Sequence, residues 1–303
     1  MFQTEQYQLL DFGGGRKLER FGEILTDRPS PPAFGSAPRA PHRWREADLY
    51  FQTDEKEKSA SSLGIRGSWR ARTPKGTAFL ESGGTVLHTS PDFALELKGS
   101  PFGHLGIFPE QSSNWDRLYG LCRRGAEMLS RPIRVLNLFA YTGGSSLACA
   151  AAGAEVTHVD AARNIVAQSR RNAELSGLND ASIRWIADDA VKYVRREEKR
   201  EKVYEGIVLD PPAYGHGARG EVWRLTRDLP KLLSLLSRIL APEFHFILLT
   251  CHSPGFDASR LSGILSGLQT RPARKIESGA MEIIAATGAK LPAGYFALLS
   301  SPR

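Results

Sequence analysis

Residues 134–144 read RVLNLFAYTGG, an apolar run that ends in a tight, glycine-bearing turn. A turn of this kind lets a ligand approach the backbone at the carboxyl end of a strand. No Lys-Ser/Thr pair follows the glycines, so the turn is not a P-loop. Downstream, short apolar runs alternate with longer helical periodicities. The strands expected are Arg134–Ala140, Glu155–Asp160, Ser182–Asp188, Gly206–Asp210, Phe244–Cys251, Arg274–Ile284 and Tyr295–Ser300. The helices between them are Gly144–Ala152, Ala162–Ser176, Ala190–Lys199, Glu221–Leu240 and Asp257–Leu268. Strands alternating with helices of this length mean crossover units and a parallel sheet. The last two strands read as a hairpin. The expected fold is therefore α/β, a doubly wound, mostly parallel seven-stranded sheet.

Upstream the pattern differs. Tyr7–Phe12 reads as a strand, Gly13–Gly15 as a turn and Lys17–Leu25 as a returning segment. Arg28–Pro41 (RPSPPAFGSAPRAP) is too proline-rich for helix or sheet and reads as an extended loop. Asp54–Ser62 is polar and reads as a solvated loop. Short strands are expected at Thr77–Ser82, Thr85–Thr89 and Phe93–Leu97, and an amphipathic helix at Trp115–Leu129. The division expected is a small β-rich domain over 1–100, open to a part in substrate recognition, a connecting segment and helix over 101–133, and the α/β domain over 134–303.

The ends of the parallel strands carry the chemistry. Asp160 closes the second strand about twenty residues beyond the turn, where a carboxylate can accept from both hydroxyls of a ribose. The third strand ends in Asp188-Asp189-Ala190, and the periodicity of Asp189–Val194 favours Asp189 as the acceptor for an adenine amine. The fourth ends in DPPAY (210–214), whose two prolines fix the backbone after Asp210 so that it can face a planar substrate rigidly. Tyr214 can stack on that plane. The candidate cofactor contacts are Asn137, Phe139, Ala140, Tyr141, Thr142 and Gly143 in the turn, then Asp160, Ala161, Asp189, Ala190, Asp210 and Pro211.

Residues 102–303 resemble the bacterial 23S rRNA cytosine-5 methyltransferase I family and its neighbours among large-subunit rRNA methyltransferases. The stretches that carry the resemblance are NLFAYTGG (137–144), VD (159–160), DDAVKYV (188–194), DPPAY (210–214) and TCHS (250–253). It implies a Rossmann-like class I methyltransferase fold, S-adenosylmethionine as cofactor and RNA, rRNA in particular, as partner. GIFPEQSSNW (106–115) is similar to the stretch that walls the cofactor pocket in that family, which makes Phe108 and Gln111 candidate contacts, although the family's Asp-Gln-Arg pattern is not kept. The first hundred residues do not show that family's PUA domain.

Cys251 is the candidate nucleophile. Carbon 5 of a pyrimidine accepts a methyl group only once a thiolate has added to carbon 6, and the resemblance implies a nucleophilic cysteine at this strand end, with Asp210 and Tyr214 as the other catalytic candidates. A buried, inert cysteine is the other reading. Asn/Asp-Pro-Pro-aromatic motifs also occur in enzymes that methylate base amino groups, where no cysteine is needed. Cytosine C5 is the favoured target. An amino nitrogen, a small-molecule acceptor and a non-catalytic RNA-binding module stay open. His252 alternates with Cys251 and reads as structural. His216 in the loop after DPPAY reads as better placed for substrate, and Arg170, Arg171, Arg195, Arg196, Arg219, Arg224 and Arg227 are candidates for phosphate.

Composition is consistent with a polyanionic partner. The net charge is +7, of which residues 101–303 hold 26 Lys and Arg against 20 Asp and Glu. Three scattered cysteines, Cys122, Cys149 and Cys251, make neither a disulfide framework nor a zinc site, and point to a reducing cytoplasm. No signal peptide, membrane span or metal site is expected. The sequence does not set the oligomeric state.

Overall fold

The computed structural model describes residues 2–54, 65–82, 84–216, 220, 222–243, 245–268 and 275–300. Arg219, residues 55–62 of the polar loop, and the first residues of the elements expected from Glu221, Phe244 and Arg274 lie outside them. The chain divides into two compact units. One comprises Met1–Ser90, Ala94–Ser112 and Glu282–Ala293; the other comprises Pro91–Phe93, Ser113–Met281 and Gly294–Arg303.

In the first unit β1 (Tyr7–Gly13), β2 (Arg16–Phe21), β3 (Ile24–Pro29), β4 (Leu49–Thr53) and β5 (Gly67–Ala71) form a five-stranded sheet in that order. The segment expected to return as one piece, Lys17–Leu25, is two strands. Gly22 breaks it, at a φ of 55° that favours glycine. The strand expected at Thr77–Ser82 is instead a helix, α1 (Pro74–Ser82). Thr73 Oγ1 accepts the Gly76 amide at 3.2 Å, and Pro74 has no amide to leave unpaired, so the local start signal outweighs the strand pattern. Next, β6 (Val86–Thr89) and β7 (Phe93–Glu96) pair with each other.

The α/β part opens with α2 (Ser112–Leu129). It continues as β8 (Arg134–Leu138), α3 (Gly144–Ala151), β9 (Glu155–Asp160), α4 (Arg163–Leu175), β10 (Ile183–Ala187), α5 (Ala190–Lys199) and β11 (Gly206–Leu209). A short hairpin comes next, β12 (Tyr214–His216) with β13 (Val222–Arg224). Then come α6 (Leu225–Leu236), β14 (Phe246–Cys251), α7 (Ala258–Ser266), β15 (Lys275–Ile284) and β16 (Lys290–Ser300). The helix expected from Glu221 starts only at Leu225, because β13 takes the preceding residues.

The large sheet has the order β10-β9-β8-β11-β14-β16-β15, seven strands, with β16 antiparallel to β14. The strands β8, β11 and β14 are apolar almost throughout because both faces are covered. The edge strand β10 is only half-buried. Strand order reverses between β8 and β11, and in open α/β sheets ligands bind beyond the carboxyl ends of strands at that point. Register sets which residues emerge together. Leu138 pairs with both Leu209 and Val159, Leu209 pairs with Leu249, and Asp160 pairs with Ala187. The residues that leave the sheet side by side are therefore Phe139, Asp210 and Thr250, with Asp160 at the next strand end.

Candidate active site

The turn after β8 is strained. Phe139, Tyr141 and Gly143 have φ of 57°, 49° and 96°, alternate residues in the left-handed region. For a residue with a side chain that conformation costs on the order of 1–2 kcal/mol. Four bonds hold it. Asp160 accepts the Tyr141 amide at 2.9 Å through Oδ2, Ala140 N donates to Val159 O at 3.1 Å, and on α4 Ser169 Oγ and Asn172 Nδ2 donate to the Tyr141 and Thr142 carbonyls at 2.6 and 2.9 Å. Ser169 and Asn172 were not singled out from the sequence. Their signal was present, as polar residues on the buried face of an amphipathic helix. Asn137 lies beneath the turn and donates to Ser146 Oγ at 2.9 Å, which in turn meets His158 Nδ1 at 3.0 Å. His158 is fully buried, and burial lowers its pKa to about 3, so it is neutral.

Asp160 also accepts the Ala162 amide at 3.0 Å through Oδ1. Burial pushes its carboxyl above the ordinary 3.8, against the amides of Ala162, Tyr141 and Ala161. At the next end Asp188 is ion-paired with Arg196. Asp189 caps α5, its Oδ1 accepting the Lys192 amide at 2.9 Å, while Ala190 is buried as the first residue of the helix.

Beyond β11 the DPPAY segment is held from two sides. Pro211 is buried. The Pro212 carbonyl accepts the Trp223 indole N–H at 2.7 Å, and the Trp223 ring lies 4.9 Å from that of Phe139. One buried tryptophan thus ties the DPPAY segment to the turn after β8. Sequence reading missed it, since Trp223 belongs to a three-residue strand with no periodicity of its own. Tyr214 opens β12 opposite Arg224.

Asp210 Oδ1 accepts Thr250 Oγ1 at 2.6 Å and lies 3.4 Å from His252 Nε2. Side chains alternate along a strand, so Thr250 and His252 share the Asp210 side and Cys251 takes the other. Cys251 is 1 % exposed and belongs to the hydrophobic core. Burial pushes its thiol above 9.0, helped by the Asp210 charge, while contacts from Ser253 and the charge of Arg260 oppose the rise. A nucleophilic thiol needs the reverse environment.

Of the other expected residues, Phe108 precedes and Gln111 closes a 3-10 turn of the first compact unit. Among the candidate phosphate ligands, Arg171, Arg196 and Arg227 pair with Glu174, Asp188 and Asp228. Arg170, Arg195 and Arg224 are exposed.

Residues 113–258 match the family model described as S-adenosylmethionine-dependent methyltransferase. The crystal structure of the SAM-dependent methyltransferase from Agrobacterium tumefaciens is 32% identical and superposes with a TM-score of 0.86 over 98% of this chain and 91% of that one. The chain belongs to the S-adenosylmethionine-dependent methyltransferases. Ribosomal RNA large subunit methyltransferase I of Aeromonas hydrophila is 27% identical over 68% of this chain and 48% of its own length. Ribosomal RNA large subunit methyltransferase K/L of Shewanella frigidimarina is 34% identical over 37% of this chain and 16% of its own length. The chain thus spans less than half the length of these two curated relatives.

The methyltransferase cofactor, S-adenosylmethionine, fits the donor set. Ionised carboxylates only accept hydrogen bonds, and a ribose and an adenine amine offer donors. Asp160 stands half-buried at a strand end beside a turn in which Gly143 leaves 3.3 Å between a built Cβ and Ser169, so a side chain there would crowd the loop. Among the described residues no cluster of three or more His, Cys, Asp or Glu could hold a metal ion, and no helix is long and apolar enough to cross a membrane.

Proposed function

We propose that this methyltransferase acts on an exocyclic amino nitrogen of a base in RNA, with rRNA as the substrate class. RNA is supported by the names of the two curated relatives and by the basic excess of residues 101–303. The nitrogen target is carried by one observation, the contrast between Asp210 and Cys251. Asp210 stands partly exposed where the strand order reverses, on a proline-stiffened segment, while Cys251 is buried with its thiol pushed up. A carboxylate and a rigid carbonyl can accept both N–H bonds of an amino group and aim its lone pair.

When bound, S-adenosylmethionine supplies an electrophilic methyl group on a sulfonium. In this reading Asp160 and Ala161 take the ribose, and Asp189 and Ala190 the adenine. The turn Phe139–Gly143 lies along the rest of the cofactor, with Asn137 behind it. Asp210 and Pro211 orient the amino group, and Tyr214 stacks on the base. The N-terminal β-rich unit is assigned to substrate recognition, since a small acceptor would not need it. An rRNA substrate and three scattered cysteines support a cytoplasmic setting.

The test is transfer of labelled methyl groups to deproteinised rRNA by Cys251→Ala. The expected outcome is activity within about twofold of wild type, because nothing in the proposed chemistry uses the thiol. Loss of transfer with unchanged cofactor affinity would move the target to carbon 5.

A further inference from the structure

His252 follows β14 and stands 3.4 Å from Asp210 through Nε2, with side-chain exposures of 36% and 31%. Both atoms can accept a hydrogen bond when the imidazole carries its proton on Nδ1. On the Nδ1 side of the ring the β16 backbone comes close. A Cβ built on Gly294 would lie 3.0 Å from Nδ1 and 2.6 Å from the Cys251 carbonyl, and Gly294 has a φ of 107°. Glycine there is what lets the β16 backbone come up against the ring. Thr250, two residues back, bonds the same Oδ1 and fixes the carboxylate. Nε2 is the nitrogen that faces Asp210, and Asp210 is the residue proposed to orient the amino group.

We infer that His252 Nε2 is the proton acceptor for methyl transfer and that Asp210 positions and charges it. The inference rests on the amino-nitrogen reading above. An N–H donor seated between two acceptors 3.4 Å apart satisfies both. The amino nitrogen forms its new bond to carbon while that carbon's bond to sulfur breaks with both electrons staying on sulfur. The nitrogen's surplus proton passes to Nε2, and the imidazolium returns it to water. The positive charge on the ring arises beside the Asp210 carboxylate, which is already in place to stabilise it. Cys251 ends β14, Tyr295 of β16 pairs opposite it, and the charge of Arg260 on α7 acts on the same thiol. Burial and the Asp210 charge push the Cys251 thiol up, so an acid limb is assigned to the His252–Asp210 pair.

The experiment uses the full chain with deproteinised rRNA and labelled cofactor. For H252Q the expected result is unchanged S-adenosylmethionine affinity by calorimetry, a kcat lowered about 100-fold, little change in KM for RNA, and loss of the acid limb of the pH–rate profile. A wild-type kcat with the acid limb intact would overturn the inference. A second readout needs no RNA, namely NMR titration of the His252 ring in wild type and in Asp210→Asn. Removing the carboxylate is expected to lower the ring's midpoint by about one pH unit. An unmoved midpoint overturns the pairing. Wild-type protein that methylates no RNA fails the amino-nitrogen reading instead, and the titration still decides the pair.

Discussion

At Phe139 and Tyr141 the backbone occupies the left-handed region without glycine, and Asp160 is the residue that ties this turn to β9. Hydrogen bonds to a charged group contribute about 1.5–3 kcal/mol, so the Tyr141 amide on Asp160 offsets much of the strain. Asp160→Ala is therefore expected to lower S-adenosylmethionine affinity at least about 10-fold by calorimetry. Unchanged affinity would remove Asp160 from the cofactor site. The acidic strand ends were legible because each ligand-type residue falls where an apolar run stops. The strain was not legible, since glycine is the usual marker of positive φ and two of the three positions carry aromatics. His252 was legible as a position on the strand. Alternation puts it opposite Cys251, and only the structure places Asp210 on its side.

Among the elements, the parallel strands could be read because buried strands are continuous apolar runs, and their order follows from the crossovers. The β12–β13 hairpin could not, because three-residue strands have no period to detect. Its Trp223 links the DPPAY segment to the turn after β8. Trp223→Phe keeps a ring against Phe139 but drops the bond to the Pro212 carbonyl. It is expected to destabilise by about 1 kcal/mol in chemical denaturation and to lower the methyl-transfer rate at least about 10-fold, with cofactor affinity little changed. Wild-type turnover would show that the segment needs no such tie. The helix α1 was misread as a strand because its apolar pattern is short. Thr73 and Pro74 were the overlooked start signal.

For the whole molecule, each compact unit buries one carboxylate held far below its ordinary 4.5. Burial opposes ionisation of Glu19 and Glu205, but Arg28 and Lys17 in one case, and Arg134 and Arg131 in the other, outweigh it and hold both at about 2. A carboxyl with a lowered folded pKa stabilises the fold above its unfolded pKa, and that contribution is lost as pH falls from about 4.5 towards 2. Glu205→Gln is expected to be less stable than wild type near about pH 7 and to lose less stability between about pH 5 and pH 3, read by urea denaturation. An equal loss in both proteins would contradict the assigned role.

The family places a methyl donor in the α/β unit, and the account turns on which atom receives the methyl. Nucleoside mass spectrometry of rRNA methylated by the wild-type protein reads this directly. The predicted product is a nucleoside methylated on an exocyclic amino nitrogen. Recovery of 5-methylcytidine, or of no methylated nucleoside, would contradict it.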